Sequence, residues 1–195
     1  MPDTAPCVPA FTALLFSLSG CLVDFGARTE PEAGPTPGAL QALKQLHHQG
    51  VPCAWLDELK EELALPLAAP LPQWVKAVGA TDGNPWPAPD ACWQALMHLN
   101  VSKLDGCVLV SGNPRLLQSG LNAGLWTVGL AACGSLCGLS ASEWALLESR
   151  ERDLLRGKAT LHLFALGVHS VIDHLEELGT CLADIALRRY KGEKP

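Results

Sequence analysis

The feature that most constrains the fold of this chain is a series of short, nearly uninterrupted apolar runs separated by amphipathic segments. The run at residues 12–16 (TALLF) leads into Ser-Leu-Ser-Gly, and the run at 107–110 (CVLV) leads into Ser-Gly-Asn. Runs this short and this complete are typical of strands buried on both faces of a parallel sheet. Their alternation with helical segments predicts an α/β fold with a mostly parallel sheet.

Local signals place the helices and strands along the chain. Pro37 precedes a leucine-rich segment that ends at Gly50, as at the start and end of a helix, and Ser140 with Glu143 forms a capping-box pattern. Strands are predicted at residues 12–16, 51–56, 74–78, 107–110, 125–130 and 159–164, and helices at 37–50, 57–65, 90–99, 114–123, 140–156 and 168–189.

Size and composition predict one domain with a substantial core. The chain has 195 residues, of which 48% are hydrophobic and 17% charged, and this balance excludes a disordered protein. No internal repeat or linker divides it. We therefore expect a loose tail at residues 1–10 and a single domain at residues 11–195.

Charge argues against nucleic acids and membranes as partners. The net charge is −6, and the nearest approach to a basic cluster is Arg188, Arg189 and Lys191, which we interpret as a solvated helix end. No Lys or Arg precedes Arg28, so the first apolar run lacks the positive flank of a signal peptide, and no run has transmembrane length.

The cysteines predict a reducing compartment. Eight cysteines are scattered through apolar stretches, as buried free thiols are, and the one close pair, Cys133 and Cys137, has no second pair with which to form a zinc site. We therefore expect a cytoplasmic protein with no metal site.

Four segments of the chain form an ordered set of motifs: GCLVDFGAR (20–28), GNPWPAP (83–89), GLNAGLWTVGL (120–130) and GSLCGLSASEW (134–144). In this order they resemble phosphonoacetaldehyde hydrolases of the haloacid dehalogenase superfamily. The resemblance covers most of the chain and implies a three-layer Rossmann-like core. It also implies a hydrolase ancestry with an aspartate nucleophile and Mg²⁺ held by carboxylates, since Mg²⁺ prefers hard oxygen ligands.

Matched residue by residue, the family's catalytic positions are degenerate in this sequence. The nucleophile position is Ser17 and the position two residues on is Ser19, whereas the closing Asp24 is kept. The second motif's Thr falls on Asp57, and the Arg of the third motif falls on Asn84.

The loop that supplies the family's metal-binding acids carries none here. Its two acidic positions fall on Gly112 and Leu116, or on Asn113 for the first if one residue is skipped, and no Asp or Glu occurs anywhere between residues 106 and 142. The family's cap insertion is also missing after Asp24, and the first lysine, Lys44, lies within a predicted helix. The resemblance therefore implies a chain without a sizeable cap, without a bound Mg²⁺ cofactor and without the Schiff-base lysine.

Three kinds of function remain open from the sequence. The first is a non-catalytic binding or scaffolding protein that pairs with a protein partner or forms a homo-oligomer. The second is different chemistry at the same strand ends, through Ser17, Cys21, Asp24 or Asp57. The third is a metal-free sensor of a small phosphorylated or phosphonate ligand, with anion-binding candidates Ser17, Gly20, Cys21, Ser111, Asn113 and Arg115.

Each functional role considered for a single residue has a simpler structural alternative. A nucleophilic Ser17 needs a base, and His47, His48 and His169 are distant in sequence, so the serine is also explained as the end of a strand. Two further alternatives are left open. Asp24 and Asp57 either hold a weak metal site or begin helices, and Cys21 either has a lowered thiol pKa or is a small packed residue. Trp86, between two prolines, is the tryptophan that we expect to be an exposed contact.

Overall fold

The computed structural model describes residues 10–30, 33–79 and 83–195, and its centre is a six-stranded parallel sheet in the order β3-β2-β1-β4-β5-β6. The predicted α/β class with a parallel sheet is confirmed. The strands are β1 Ala13–Ser17, β2 Cys53–Leu56, β3 Lys76–Val78, β4 Cys107–Ser111, β5 Trp126–Leu130 and β6 Ser170–Ile172.

Helices cover both faces of the sheet, which makes three layers in all. One face packs β1 and β4, through Leu14, Phe16 and Val108, against α1 and α7. The other face packs the alternate residues of the same strands, such as Leu15 and Leu109, against α3 and α4. The helices are α1 Ala39–His48, α2 Glu61–Ala68, α3 Asp90–His98, α4 Pro114–Asn122, α5 Ala141–Leu146, α6 Ser149–Leu166 and α7 Leu178–Tyr190.

The predicted strand at residues 159–164 is wrong, because this segment lies within α6. Ala159 and Leu163, four residues apart, are buried, whereas Leu161 and Phe164 are exposed, which is the period of a helix and not of a strand. A short apolar run does not by itself distinguish the two. The predicted helix at 140–156 is correspondingly two helices, α5 and α6, separated at Leu147 and Glu148.

The sequence prediction also missed the last strand. The prediction gave one helix over residues 168–189, but the chain first forms β6, then a 3-10 turn at Leu175–Glu177, and only then α7. β6 is a three-residue edge strand that is only partly buried, so it lacks the long apolar run that marks the inner strands. The predicted helix at 57–65 also shifts, because α2 begins at Glu61 and continues through Pro66.

The region where the family's cap would be inserted is compact. Between β1 and α1, the described residues form turns and two isolated bridges, and across the described ranges no separate cap is evident. None of the helices in those ranges is long and apolar enough to cross a membrane. The predicted tail at residues 1–10 lies outside the described residues except for Ala10.

Candidate functional site

The loops after β1, β2, β4 and β5 meet at the carboxyl edge of the sheet, where folds of this kind bind ligands. Ser17 ends β1 and Ser111 ends the neighbouring β4, and both side chains are buried. The Ser111 hydroxyl donates to Ser17 Oγ at 2.9 Å and accepts from the Asn113 backbone N–H at 2.9 Å. The residue at the family's nucleophile position is therefore held in an internal hydrogen-bond chain.

Ser19 lies between the two acidic residues that the sequence singles out. Its backbone N–H donates to Asp57 Oδ2 at 3.0 Å, and its hydroxyl donates to Asp24 Oδ2 at 2.6 Å. Asp24 also accepts from the backbone N–H of Thr29 at 2.8 Å, and Asp57 accepts from that of Leu59 at 3.0 Å. Both carboxylates thus stabilise loop backbone. Neither begins a helix, although one sequence interpretation expected that both would.

Asp57 is the carboxylate at this edge with a clearly perturbed acidity. Burial raises the pKa of Asp57, and the N–H bonds from Ser19 and Leu59, which favour the charged form, only partly offset that cost. A carboxyl group in this state is a proton acceptor only above its raised pKa. Its two oxygens are both already occupied by N–H donors.

Three glycines bring the backbones of three loops into direct contact. A Cβ built on Gly112 would lie 2.3 Å from the Gly20 carbonyl oxygen and 2.8 Å from the Gly134 Cα, and a Cβ on Gly134 would lie 2.3 Å from the Gly112 carbonyl oxygen. A real Cβ atom essentially never lies closer than 3.0 Å to a heavy atom outside its own residue and the two adjoining ones. No side chain fits at position 112 unless the loops after β1 and β5 move apart.

Arg28 joins the loop after β1 to the loop after β5. Its Nε donates to the Gly138 carbonyl at 2.7 Å, and its guanidinium forms a 2.7 Å ion pair with Glu143. The two loops are also in close backbone contact, since a Cβ on Gly26 would lie 2.5 Å from the Leu139 carbonyl oxygen. The carboxyl edge is closed on this side by contacts within the chain.

Cys21 does not have the activated thiol that one sequence interpretation considered. Its side chain is fully buried and donates to the Val110 carbonyl at 3.5 Å, and this burial, with Cys133 nearby, raises the thiol pKa instead of lowering it. Sequence reasoning missed His174, whose Nδ1 lies 3.6 Å from Cys133 Sγ at the same edge. It was missed because β6, which His174 follows, was taken for part of a helix. Burial raises the pKa of Cys133 to about 12, so this pair holds a neutral thiol as well.

A cleft of about 440 Å³ opens at the ends of β2 and β3. Arg115 faces this cleft, where it pairs with Glu58 at 3.3 Å and donates to the Trp86 carbonyl. Trp86 is only 5% exposed, so the predicted exposed contact is wrong; its backbone N–H donates to Glu58 at 2.8 Å and the ring packs into the core. Asn84 donates to Asp90 through both its backbone and its side chain.

The structure brings some of the anion-binding candidates together and separates others. Ser17 and Ser111 are in contact, but Asn113 uses its side chain to cap α4, accepting from the Arg115 and Leu116 N–H groups. The Gly20 N–H donates to the Val23 and Asp24 carbonyls at 2.9 Å each. The Cys21 thiol donates to the Val110 carbonyl, and Arg115 pairs with Glu58. Each candidate group therefore already has a partner within the chain.

The histidines weighed as bases for Ser17 lie elsewhere. His47 and His48 end α1, at the opposite edge of the sheet, and His169 precedes β6, where its Nδ1 lies 3.0 Å from the Thr127 backbone N–H and accepts from it. Burial and the nearby Arg188 lower the pKa of His169, which keeps its ring neutral at physiological pH. The structure brings none of the three to the serine.

The loop after β4 lacks the carboxylate ligands that would hold a magnesium ion. The loop after β4 offers Ser111, Gly112 and Asn113, which have no charge, and Mg²⁺ usually requires one or two carboxylates. The space beside Gly112 is filled by backbone of the neighbouring loops. In the described ranges, no group of three or more His, Cys, Asp or Glu side chains is arranged to hold a metal ion.

Comparison with known proteins finds phosphonoacetaldehyde hydrolases as relatives. The chain is 35% identical to that of Klebsiella pneumoniae over 182 residues, covering 89% of this chain and 64% of the relative. It is 34% identical to that of Aeromonas hydrophila, covering 84% and 61%. The chain spans between 57% and 65% of the length of the curated relatives that it matches. No protein-family model matches it.

Solved structures confirm the fold. One crystal structure is 64% identical in sequence, with a TM-score of 0.92, and covers 95% of this chain and 100% of its own. A phosphonoacetaldehyde hydrolase-like protein from Oleispira antarctica is 22% identical, with a TM-score of 0.90 over 100% of this chain and 99% of its own. The β-phosphoglucomutase of Clostridium difficile shares the fold at a TM-score of 0.65.

Proposed function

This chain belongs to the haloacid dehalogenase-like superfamily as a relative of phosphonoacetaldehyde hydrolase, and on that basis we propose that it has lost the Mg²⁺-dependent hydrolase reaction and acts as a non-catalytic binding or scaffolding protein. The observation that carries the proposal is the contact of Gly112 with Gly20 and Gly134. Backbone atoms occupy the volume that a metal-binding carboxylate at position 112 would need.

The absence of carboxylates from the loop after β4 supports the loss of metal chemistry. A bound cation stabilises the charge that develops on a transferred phosphoryl or phosphonate group, which is worth several kcal/mol of the barrier. Between residues 106 and 142 the chain has no Asp or Glu to hold that cation. Arg115, the cation nearest to this loop in sequence, is paired with Glu58 in the cleft at the ends of β2 and β3.

The state of Ser17 supports the loss of the nucleophile. A serine hydroxyl attacks only when a base removes its proton, and the neighbour of Ser17 at 2.9 Å is another hydroxyl, that of Ser111. Asp24 and Asp57, the acids at this edge, accept from Ser19 and from loop backbone. Different chemistry through Ser17, Cys21, Asp24 or Asp57 therefore finds no specific support in the geometry.

The missing cap supports the loss of phosphonate cleavage in particular. We propose that the chain has no cap, because the segment between β1 and α1 forms turns in its described part and the loop after β1 is joined to the loop after β5 through Arg28. A lysine amine is needed to form an imine with an aldehyde substrate. Lys44 lies within α1 and is exposed on the outside of the sheet layers.

The proposal predicts that the purified protein with Mg²⁺ releases neither acetaldehyde nor phosphate from phosphonoacetaldehyde, and no phosphate from simple phosphate esters. Ser17→Ala and Asp24→Asn variants should give the same background rate, and a curated phosphonoacetaldehyde hydrolase serves as the positive control. Turnover that either substitution abolishes would overturn the proposal, because it would show that the edge of the sheet still catalyses a reaction by another route.

The proposal also makes binding partners the object of the search. The net charge of −6 disfavours nucleic acid and anionic membranes, so we propose a protein partner or a second copy of the chain. A phosphate or phosphonate ligand at Ser17 would have to displace the internal hydrogen bonds of Ser111 and Asn113. Such a sensor would show as stabilisation by phosphate without Mg²⁺.

A further inference from the structure

A groove of about 820 Å³ runs between α1 and α7 on one face of the sheet. The chain segments touch where α1 begins, since a Cβ built on Gly38 would lie 2.2 Å from the backbone nitrogen of Glu176, just before α7. Farther along α7, the residues that line the groove include Gly179, Ala183 and Ala186. They lie three or four residues apart and so share one face of the helix. Because these residues are small, the packing of α7 beside α1 leaves the groove open.

The groove has an apolar floor and side-chain amides at its rim. Phe11, Leu46 and Leu182 line it and are buried, so they form the floor. Gln45 and Gln49, four residues apart on α1, also line it and are exposed, and their amide groups donate hydrogen bonds as well as accept them. None of the described residues that line the groove is Asp, Glu, Lys or Arg. The groove therefore suits an uncharged, apolar segment with backbone carbonyls to be hydrogen-bonded.

The chain that leads to β1 starts its described part in this groove. Ala10, the first described residue, lines the groove, and its carbonyl oxygen accepts from Arg189 Nη1 at 2.6 Å. The Arg189 guanidinium also lies over the Phe11 ring, 5.4 Å from the ring centroid. Because Arg189 is in the last turn of α7, Ala10 lies at the end of the groove that is farther from Leu178. The preceding residues, 1–9, are attached at that end.

Residues 4–9, Thr-Ala-Pro-Cys-Val-Pro, match the groove in chemistry and in length. They carry no charge, and their two prolines lack N–H groups, so the segment has more backbone acceptors than donors. Prolines favour the polyproline II conformation, in which six residues span about 19 Å. The α7 side of the groove, from Leu178 to Ala186, is about 12 Å long at the helical rise. The segment is therefore long enough to cross the whole groove from Ala10.

We propose that residues 4–9 dock in the groove between α1 and α7, with Val8 against the apolar floor and the Gln45 and Gln49 amides donating to backbone carbonyls of the segment. The chain's own segment is the occupant because attachment at Ala10 gives it an effective concentration in roughly the millimolar range, which a separate partner must exceed. The sequence alone indicated a loose tail here. A protein partner that recognises this face has to displace the segment first.

Cys7 and Ala183 come to the same level of the groove if the segment docks. Cys7 is three residues before Ala10, which is about 9 Å along an extended segment. Ala183 is six residues before Arg189, which holds Ala10, and this is also about 9 Å along the helix. A thiol introduced at position 183 should therefore lie within reach of the native thiol of Cys7.

Disulfide formation in the full chain tests the docking. Ala183→Cys should form a disulfide with Cys7 when diamide is added, since diamide takes up the two electrons and two protons that the thiols release. Asp184→Cys is the matched control, because Asp184 is equally exposed on α7 but does not line the groove. An undocked tail would reach both positions, whereas a docked segment should react at least about tenfold faster at position 183. Peptide mass spectrometry over the time course measures both rates.

A charge placed in the segment tests the contact with the apolar floor. In the Ala183→Cys background, Val8→Asp should slow the disulfide at least about fivefold, because a carboxylate loses its hydration in a groove that offers it no charged partner. Pro2→Asp adds the same charge outside the docked segment and is the control. It should leave the rate within about twofold of its parent, since the tethering is unchanged.

Three results would contradict the proposal. Equal rates at positions 183 and 184, or no disulfide at either, would mean that the segment does not lie in the groove. A rate that Val8→Asp leaves unchanged, or that Pro2→Asp slows equally, would exclude the apolar contact. A disulfide that joins two chains, visible by size on a non-reducing gel, would assign the groove to the segment of another molecule. None of these results depends on whether the carboxyl edge of the sheet is catalytic.

Discussion

At the scale of single residues, Gly112 decides what the carboxyl edge of the sheet can hold. We expect Gly112→Asp to lower the free energy of unfolding by about 3 kcal/mol, because the new side chain overlaps the backbone at Gly20 and Gly134. Urea denaturation with and without Mg²⁺ measures this change. Mg²⁺ should not recover the lost stability.

Gly34→Asp is the control for this substitution, since a Cβ at Gly34 meets no atom within 4 Å. It should change the stability by no more than about 0.5 kcal/mol. If Gly112→Asp were as stable as this control, or were stabilised by Mg²⁺, then the loops would have room for a carboxylate and the edge could be restored by one substitution.

Asp57 predicts a dependence of stability on pH with a definite sign. Its pKa is raised in the folded state above the ordinary aspartate value of 3.8, so the folded protein holds its proton more strongly than the unfolded chain does. This contribution to stability is present below pH 3.8 and is lost as the pH rises through the folded pKa. The difference in unfolding free energy between the wild type and Asp57→Asn should therefore fall from acidic to neutral pH.

Urea midpoints of both proteins across that range check the effect, and Asp90→Asn, at an exposed hydrogen-bonded site, is the comparison. A wild-type advantage that grows with rising pH would mean that the folded pKa of Asp57 is depressed. In that case the N–H donors from Ser19 and Leu59 would outweigh burial.

The residue identities at the candidate site could be read from the sequence, but their contacts could not. The serines at positions 17 and 19 and the lack of acids after β4 are visible in the letters alone. The burial of Trp86 is not, because two flanking prolines indicate a loop without saying whether the ring turns inward. The contact of Gly112 with Gly134 joins loops whose separation depends on how β4 and β5 pair.

At the scale of elements, α6 shows both what patterns predict and where they fail. The inner strands were predictable because burial on both faces demands long apolar runs, as in β1 and β4. The second half of α6 was taken for a strand because Leu161 and Phe164 add apolar residues on its exposed face. β6 was missed because an edge strand of three residues needs little apolar character.

Gly157 gives α6 a testable cost. We expect Gly157→Ala to raise the unfolding free energy by about 0.5–1 kcal/mol, since alanine loses less backbone entropy in a helix and a Cβ meets open space there. Urea denaturation of the variant and the wild type measures this change. A destabilised variant would contradict the open space at this position.

At the scale of the whole molecule, ligand-induced stabilisation distinguishes the functional hypotheses. A ligand that binds only the folded state raises the melting temperature, by an amount set by the ratio of its concentration to its dissociation constant. We expect no shift with Mg²⁺ at about 10 mM. A shift with Mg²⁺ would require a metal site and contradict the proposed loss. A shift with phosphate alone would favour the sensor hypothesis over scaffolding.

The fold class could be predicted because several independent patterns agree on it. Apolar runs, turn residues and four family-like segments each indicate a parallel α/β sheet, and the strand order confirms it. The role of the chain could not be predicted in the same way. A surface such as the outer face of α6 has meaning only once burial shows which leucines the core uses and which it leaves exposed.

The bonds of Arg28 to Gly138 and Glu143 determine which loops of this protein are rigid. In most enzymes the loops around the reacting atoms are the softest part of the molecule, since they must open, and that softness costs stability. Under the proposed function nothing has to enter here, so the same loops are free to be fastened. Arg28 then holds the loops after β1 and β5 together permanently. We expect the backbone amides of these two loops to be among the slowest in the chain to exchange their hydrogens with solvent.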